Sequence, residues 1–198
     1  MKPYFTKRFF AYLIDIVIVF VLSTLITGFV PISQKATVIS ENIVDLTNRV
    51  SEEKISKEKY NYELQELNYH LTRETVIISL VNIAVYLLYF VVYPVYNNGQ
   101  TIGKKTQGLK IVNKNSQVAS MNNLLVRTLV LHGIAINIIS LILILTINKD
   151  SFMLINNTLS YLNYLILVIS LFAVILTKSG RGLHDVLSNT KVINEEDK

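Results

Sequence analysis

Four long apolar stretches separate the polar parts of this chain. They cover residues 9–30, 76–96, 124–147 and 159–177. A helix needs about 20 mostly apolar residues to cross the hydrocarbon core of a bilayer, and each stretch has about that length. A soluble chain of 198 residues is too short to cover four such helices. The pattern therefore predicts an all-α integral membrane protein with a four-helix transmembrane bundle.

The first stretch begins like a secretory signal, because Lys2, Lys7 and Arg8 precede it. It is longer than the apolar core of a signal peptide, and it contains Asp15. No cleavage site of the small-x-small type follows it. We interpret it as a retained first span.

Residues 31–74 form a long polar connection between the first two spans. Two sets of apolar residues recur there at three- and four-residue spacing, which predicts an extracytoplasmic insertion of two amphipathic helices. These sets are Ile43, Leu46 and Val50, and Tyr60, Leu64, Leu67 and Leu71. Ser51 is predicted to cap the second helix, which then continues unbroken as far as Pro94. The insertion is either a cap packed on its own bundle or a surface for a second copy or a partner protein.

Residues 97–123 form the predicted cytoplasmic loop, which carries four Lys and no acid. Short runs of β-forming residues at 109–112 and 117–119 flank a turn at 113–116, and a similar run follows at 189–193. They predict a small cytoplasmic β-hairpin or sheet, with 189–193 as a third strand. Gly99 and Gly103 are too close in sequence for a nucleotide-binding P-loop, and Lys105 occupies the Ser/Thr position of that motif.

The composition narrows the function classes. The chain is 51% hydrophobic and 17% charged, with a mean hydropathy of +0.42, whereas soluble domains are about one quarter charged. Cysteine is absent, which excludes disulfides, thiolate metal sites and thiol catalysis. No HExxH motif or nucleophile elbow occurs. We therefore predict no enzyme activity, no catalytic residue, no cofactor and no metal.

The net charge of +5 is read as a topology signal rather than as a nucleic-acid-binding surface. Twelve basic residues fall on one side of the predicted spans with few acids, and seven fall on the other side among nine acids. The twelve are Lys2, Lys7, Arg8, Lys104, Lys105, Lys110, Lys114, Arg127, Lys178, Arg181, Lys191 and Lys198. The prediction is a multi-pass protein of the cell (plasma) membrane with cytoplasmic N- and C-termini and no nucleic-acid partner.

Asp15 is the most informative polar residue, because an ionised side chain at the centre of a span costs about 2.5–3.5 kcal/mol on insertion scales. Arg8 lies about 10 Å away along the same helix, too far for a direct ion pair, and is interpreted as an interfacial anchor. Arg127 and His132 enter from the same side on the third stretch, so either is a geometrically allowed partner of Asp15. Asp15 is thus either a structural ion-pair hub or part of a proton or cation path, and His132 is interpreted as a packing residue.

A glycine-rich segment at 179–182 follows the last stretch and leads into His184 and Asp185. This adjacent acid–base pair is interpreted as a helix cap and turn, in which Asp185 binds an arginine or backbone donors, rather than as a catalytic pair.

These residues together resemble the RDD family of small membrane proteins, which is named for one arginine and two aspartates. Arg8, Asp15 and Asp185 match these three positions, and Arg127 also fits. The central cytoplasmic motif of the family matches Gly99, Gln100, Gly103, Lys104 and Gly108. The resemblance implies one polytopic membrane domain over residues 1–193, followed by an acidic tail at 194–198. The long insertion at 31–74 departs from the pattern.

The resemblance implies two classes of function, of which the sequence favours the first, because an acid inside a span marks a functional site by default. One is transport of ions or other ligands, including cation/proton exchange, for which Asp15 would bind a monovalent cation or a proton. The other is a non-transporting accessory or assembly role, in which the charged residues lock the bundle and residues 31–74 bind a partner. The lipid bilayer is a partner in both, and a homo-oligomer or a membrane-protein complex is expected, since four helices are few for a transport pathway.

Overall fold

The computed structural model describes residues 5–177 and 179–196 and is mostly helical. Lys2, Lys178, Asp197 and Lys198, which entered the predicted charge distribution and tail, lie outside the described residues. The elements in chain order are α1 (Phe5–Thr27), α2 (Gln34–Ser51), α3 (Lys57–Glu74), α4 (Val76–Leu87), a π-helical turn (Leu88–Val92), α5 (Tyr93–Tyr96), α6 (Ile102–Thr106), β1 (Leu109–Asn113), α7 (Met121–Leu131), α8 (Ile134–Thr146), α9 (Lys149–Leu176), α10 (Leu183–Leu187) and β2 (Thr190–Asn194).

Within residues 5–177 and 179–196, three helical segments are long and apolar enough to cross a membrane, and the bent pair α7–α8 makes a fourth if it counts as one span. The three are Phe5–Thr27, Val76–Tyr96 and Lys149–Leu176. Two helices begin before the predicted spans that they contain. The first helix begins at Phe5 rather than at residue 9. The last begins at Lys149 rather than at residue 159, because the side chain of Asn148 caps the helix there by accepting from Ser151 N–H.

The predicted third span, 124–147, is not one straight helix. The axes of α7 and α8 differ by 69°, and the break falls at His132 and Gly133. Gly133 has a φ of +64°, and a Cβ on it would lie 2.6 Å from the side-chain oxygen of Asn163 in α9. Only glycine suits this left-handed position under a neighbouring helix, so the chain bends at Gly133, where α9 approaches closely.

The predicted unbroken helix from Ser51 to Pro94 is also wrong. The chain turns between α2 and α3, and Ser56 rather than Ser51 caps α3 by accepting from Lys59 N–H at 3.2 Å. A second break falls at Thr75. Further along, the π-helical turn precedes Pro94, which lacks the N–H that a regular helix needs at that point.

The helices α2 and α3 form an antiparallel pair, the helical hairpin, at one end of the molecule. Its inner face packs on the bundle through Tyr69 of α3, whose ring lies 5.4 Å from that of Phe152 and which clusters with Ile144. Lys149 at the start of α9 donates to Glu66 of α3 at 2.6 Å. The hairpin is therefore held against α8 and α9.

The sheet lies at the opposite end. Strands β1 and β2 pair antiparallel, with Leu109 opposite Asn194 and Asn113 opposite Thr190. The predicted third strand is thus the true partner of the first one. The predicted hairpin to 117–119 is reduced to one bridge between Val112 and Val118, because the capping box of Ser120 starts α7 immediately afterwards.

Candidate functional site

The sequence after the last span folds so that one carboxylate faces three chain segments. Gly182 begins the short helix α10, and the buried carboxylate of Asp185 accepts from Gly182 N–H at 3.0 Å. The same carboxylate accepts from Arg8 Nη2 of α1 at 2.8 Å and from Arg127 Nη1 of α7. We call Arg8, Arg127 and Asp185 the Asp185 cluster. It joins the first span, the third span and the segment that leads into β2.

Polar groups around this cluster fix its donors. Arg127 also donates to Thr190 Oγ1 at 3.1 Å, and Arg8 donates to the carbonyl oxygen of Gly180. Arg181 donates to the carbonyl oxygens of Thr190 and Asp185, each at 2.9 Å. Both guanidinium groups of the cluster are thereby oriented by backbone or hydroxyl acceptors as well as by the carboxylate.

The protonation states at α10 follow from burial and charge. Burial raises the pKa of Asp185, but Arg127 and Arg8 outweigh it and hold this pKa well below its usual range. Burial, assisted by Arg127, lowers the pKa of His184 to about 3. His184 is therefore neutral at pH 7, and its Nδ1 lies 2.5 Å from Ser170 Oγ of α9.

A second carboxylate, Asp15, is fully buried on the inner face of α1. Its Oδ1 accepts from Tyr89 Oη and from Gly103 N–H, each at 2.7 Å. Its Oδ2 accepts from Thr101 Oγ1 at 2.6 Å and from Lys104 Nζ at 3.2 Å. We call these five residues the Asp15 cluster. Four donors occupy both oxygens, so Asp15 is an ion-paired and hydrogen-bonded carboxylate.

Lys104 belongs to α6, between the second span and the sheet. Burial lowers its pKa, and Asp15 opposes this effect by favouring the ammonium form. Lys104 Nζ also donates to Thr101 Oγ1 at 3.2 Å, so the side chain is held at the carboxylate from two directions.

The glycine-rich motif folds the loop against α1. A Cβ on Gly103 would lie 2.7 Å from Asp15 Oδ1 and would collide with the carbonyl oxygen of Ala11. Gly99 and Gly108 both have a positive φ, and a Cβ on Gly99 would collide with the carbonyl oxygen of Ile111. Gln100 donates to the carbonyl oxygen of Leu109 at 3.0 Å. The motif is therefore the means by which Lys104 reaches Asp15.

A model of the RDD family matches residues 2–189, nearly the whole chain. The chain belongs to the RDD family. RDD proteins are small membrane proteins, so this RDD protein is a membrane protein, and its candidate spans agree with a multi-pass arrangement. No curated protein and no solved structure matches it.

The RDD residues are paired differently from the sequence-based expectation. Asp15 contacts neither Arg127 nor His132, because the motif loop brings Lys104 and Thr101 to it first. Arg8 is not a free interfacial anchor but the ion-pair partner of Asp185. The expectation that Asp185 binds arginine and backbone donors agrees with these contacts.

His132 stands apart from both clusters, at the break between α7 and α8. Its ring stacks on Phe90 at 4.0 Å and on Tyr12 at 5.9 Å, and it meets Tyr86 edge-on at 5.4 Å. In this RDD protein His132 is therefore a packing residue at the centre of an aromatic cluster. Within residues 5–177 and 179–196, no group of three His, Asp or Glu side chains is placed to hold a metal ion.

Two cavities of this RDD protein lie on either side of that aromatic cluster. The first, the cationic cavity, has a volume of about 290 Å³ and is lined by Arg8, Lys104, Arg127 and otherwise mostly apolar residues. The second, the polar cavity, has a volume of about 520 Å³ and lies between α4, α8 and α9. Tyr12 lines the first, and Tyr86 and His132 line the second. Neither Asp15 nor Asp185 lines either cavity.

Sequence reasoning missed three partners of Asp15, namely Tyr89, Thr101 and Lys104. For the last two, the glycines of the motif indicate a fixed loop conformation, but nothing in the motif assigns the loop to Asp15. Tyr89 gave no such signal, because it lies in a stripe of tyrosines that is typical of packing.

Proposed function

We propose that this RDD protein is a non-transporting accessory or assembly protein of a membrane complex. The observation that carries the proposal is the state of Asp15, which is fully buried and bonded by four donors. A carboxylate that exchanges protons and cations needs access to water and ligand positions of its own. In a transport cycle, Asp15 would have to break these four hydrogen bonds each time it bound or released a proton or a cation. In a structural role, the same four bonds hold α1 against the second span and the motif loop.

The helical hairpin is the proposed partner surface. Its inner face is already used against α8 and α9 through Tyr69 and Glu66. Its outer face leaves Val38 and Val44 of α2 exposed. A groove of about 560 Å³ runs between the two helices. Exposed apolar side chains on a hairpin fixed to a bundle favour docking of another protein.

The proposed topology places the sheet and both clusters on the cytoplasmic side of the plasma membrane and the hairpin outside. The support is the distribution of charge, since the connections at the sheet end carry most Lys and Arg with few acids. A reporter enzyme fused after Lys198 should mature only if it stays inside the cell. Maturation of that reporter outside would reverse the topology.

The partner role is tested by Val44→Glu, with Asn42→Glu as a matched control that adds the same charge to an exposed position of α2 that does not share the face of Val44. We expect photo-crosslinking in intact membranes to link the wild type and the control to one defined protein, confirmed by reciprocal capture from the tagged partner. Val44→Glu should lose that crosslink while it keeps the monodisperse elution of the wild type. Absence of any specific crosslink to α2 or α3 in the wild type would refute the role.

Transport is the second candidate, and the polar cavity favours it. Asn82, Asn137 and Asn163 come from three different candidate spans and line this one cavity, with Ser140 and Ser160 beside them. The side-chain oxygen of Asn163 is buried and accepts no hydrogen bond within the described part of the chain. Polar side chains at this depth suit either water and a small solute or a second copy.

The transport candidate is tested by cation-dependent proton flux in proteoliposomes. Flux that survives Asp15→Asn but is lost in Asn137→Leu would favour transport through the polar cavity. Asn137 is exposed to the cavity and is absent from both clusters, so its substitution leaves the lock intact. Lack of flux in the wild type would leave the accessory role as the sole proposal.

A further inference from the structure

The cationic cavity has an unusual division between its charged and apolar walls. Arg8, Lys104 and Arg127 face it from α1, α6 and α7. Leu167, Leu171 and Val174 of α9 form an apolar wall on the other side. Leu109 of β1 and Val192 of β2 also line it, so the cavity is closed below by the sheet.

The basic groups of this cavity exceed their carboxylates by one. Among the described residues, the three cations are paired with Asp15 and Asp185 only. Both carboxylates are fully buried behind the cations and do not line the cavity. The cavity wall therefore presents donors without acceptor carboxylates, and the group as a whole carries one net positive charge.

Unused donors remain on these cations. Arg127 uses Nη1 for Asp185 and Thr190, and its Nε and Nη2 have no acceptor among the residues that the structure describes. Lys104 uses two acceptors, Asp15 and Thr101, which leaves one of its three N–H groups. An anionic group in the cavity would accept hydrogen bonds from these unused donors. Because the donors are buried, these charge-assisted bonds would be stronger than in water.

The cavity also opens onto the apolar outer surface of the bundle. Phe9 of α1 is 48% exposed and lines the opening, as does the exposed Leu171 of α9. Both side chains belong to candidate membrane spans. A ligand of this cavity would thus enter sideways from the bilayer, between α1 and α9.

We propose that the cationic cavity binds the anionic head group of a membrane phospholipid. Its phosphate would lie against Lys104 and Arg127, and one acyl chain would leave between Phe9 and Leu171 along the bundle surface. The charge excess selects an anionic lipid over a zwitterionic one, and the apolar wall selects a lipid over a free phosphate. This site is independent of the partner surface on the hairpin.

The chain contains no tryptophan, so single Trp reporters can test the site. Phe9→Trp places the reporter at the opening, and Phe20→Trp places a control on the same helix, at a 68% exposed position that does not line the cavity. Each protein is reconstituted in phosphatidylcholine vesicles with a minor fraction of brominated phosphatidylglycerol or of brominated phosphatidylcholine. Bromine quenches Trp on contact, so quenching measures how often each lipid occupies the position.

We expect brominated phosphatidylglycerol to contact the Trp of Phe9→Trp about fivefold more often than brominated phosphatidylcholine. One extra positive charge near the membrane surface favours an anionic lipid by about 1 kcal/mol, which corresponds to this ratio. The control should show no preference. Equal quenching by the two lipids at Phe9→Trp, or the same preference at both positions, would overturn the proposal.

Two further arms test the occupant. Val174→Phe in the Phe9→Trp protein narrows the cavity and should abolish the preference, whereas Leu176→Phe, outside the cavity, should leave it unchanged. Excess inorganic phosphate should not reduce the preference. Reduction by phosphate would assign the site to a free anion, and an unchanged preference in Val174→Phe would place the lipid elsewhere.

Discussion

Removing the charge of Asp15 should destabilise this RDD protein strongly and in a way that a second substitution repairs. Asp15→Asn keeps the size of the side chain but leaves the buried ammonium of Lys104 without its counter-ion. Loss of one partner of a buried ion pair costs about 3–5 kcal/mol. For a chain of this length we expect the midpoint of thermal unfolding to fall by about 10 °C.

The repair distinguishes charge pairing from simple loss of contacts. Lys104→Met alone leaves the carboxylate with three remaining donors, from Tyr89, Thr101 and Gly103, and should cost about 1–3 kcal/mol. In the double variant neither charge remains, and the Asn side chain can still accept from Tyr89 or Gly103. We therefore expect the double variant to unfold above Asp15→Asn, which requires a coupling energy larger than the cost of Lys104→Met alone.

The assay is the loss of the monodisperse chromatographic peak after heating in a mild detergent. Glu66→Gln is the matched control, because it makes the same carboxylate-to-amide change in a partly exposed ion pair with Lys149. Exposed pairs contribute at most about 1 kcal/mol, so the control should unfold near the wild type. If Lys104→Met lowers the midpoint of Asp15→Asn by the full amount that it costs alone, the two residues are not coupled and the reasoning fails.

Three further predictions concern the motif, the pH dependence and the hairpin. Gly103→Ala should cost about 1–3 kcal/mol by forcing α6 away from α1, and Gly28→Ala, whose Cβ meets only α1 carbonyl oxygens, should cost less in the same heating assay. In the folded state the pKa of His184 is about 3, whereas in the unfolded chain it is 6.5. The unfolded state therefore binds an extra proton below pH 6.5, so the free energy of unfolding should fall as the pH drops below 6.5 and stay level above it. His184→Gln should weaken this dependence between pH 6.5 and pH 4, and an unchanged profile would contradict the assignment. Ser56→Ala should lower protection of α3 amides from hydrogen exchange by about 1 kcal/mol, whereas Ser51→Ala should not, and equal effects would contradict the capping geometry.

The apolar pattern was sufficient for the candidate spans, because the length of an apolar run is set by the bilayer and needs no knowledge of contacts. It was insufficient for the broken third span. A single glycine inside an apolar run is compatible with a straight helix, and Gly133 marks a bend only because Asn163 approaches it from another span. The sequence around a glycine does not show which distant residue will pack against it.

The same limit applies to the two carboxylates. The sequence identified Asp15 and Asp185 as residues that need partners, since burying a charge is costly wherever it occurs. It did not assign their partners, because Lys104 is 89 residues from Asp15 and Arg8 is 177 residues from Asp185. The same holds for the strands, since the sequence predicted them but not the pairing of β1 with β2. The register of that pair is fixed by the path of the whole chain between them.

The pairing of Arg8 with Asp185 has a consequence for biosynthesis. Chains are made from the N-terminus, so α1 enters the bilayer while the ribosome has yet to add the carboxylate that Arg8 will bind. Arg127 binds the same carboxylate, which is synthesised 58 residues after it. The two ion pairs of Asp185 therefore form only after every candidate span has been synthesised. A nascent chain interrupted before residue 185 would carry two unsatisfied guanidinium groups at one end of the bundle, a chemical mark that separates unfinished copies from finished ones.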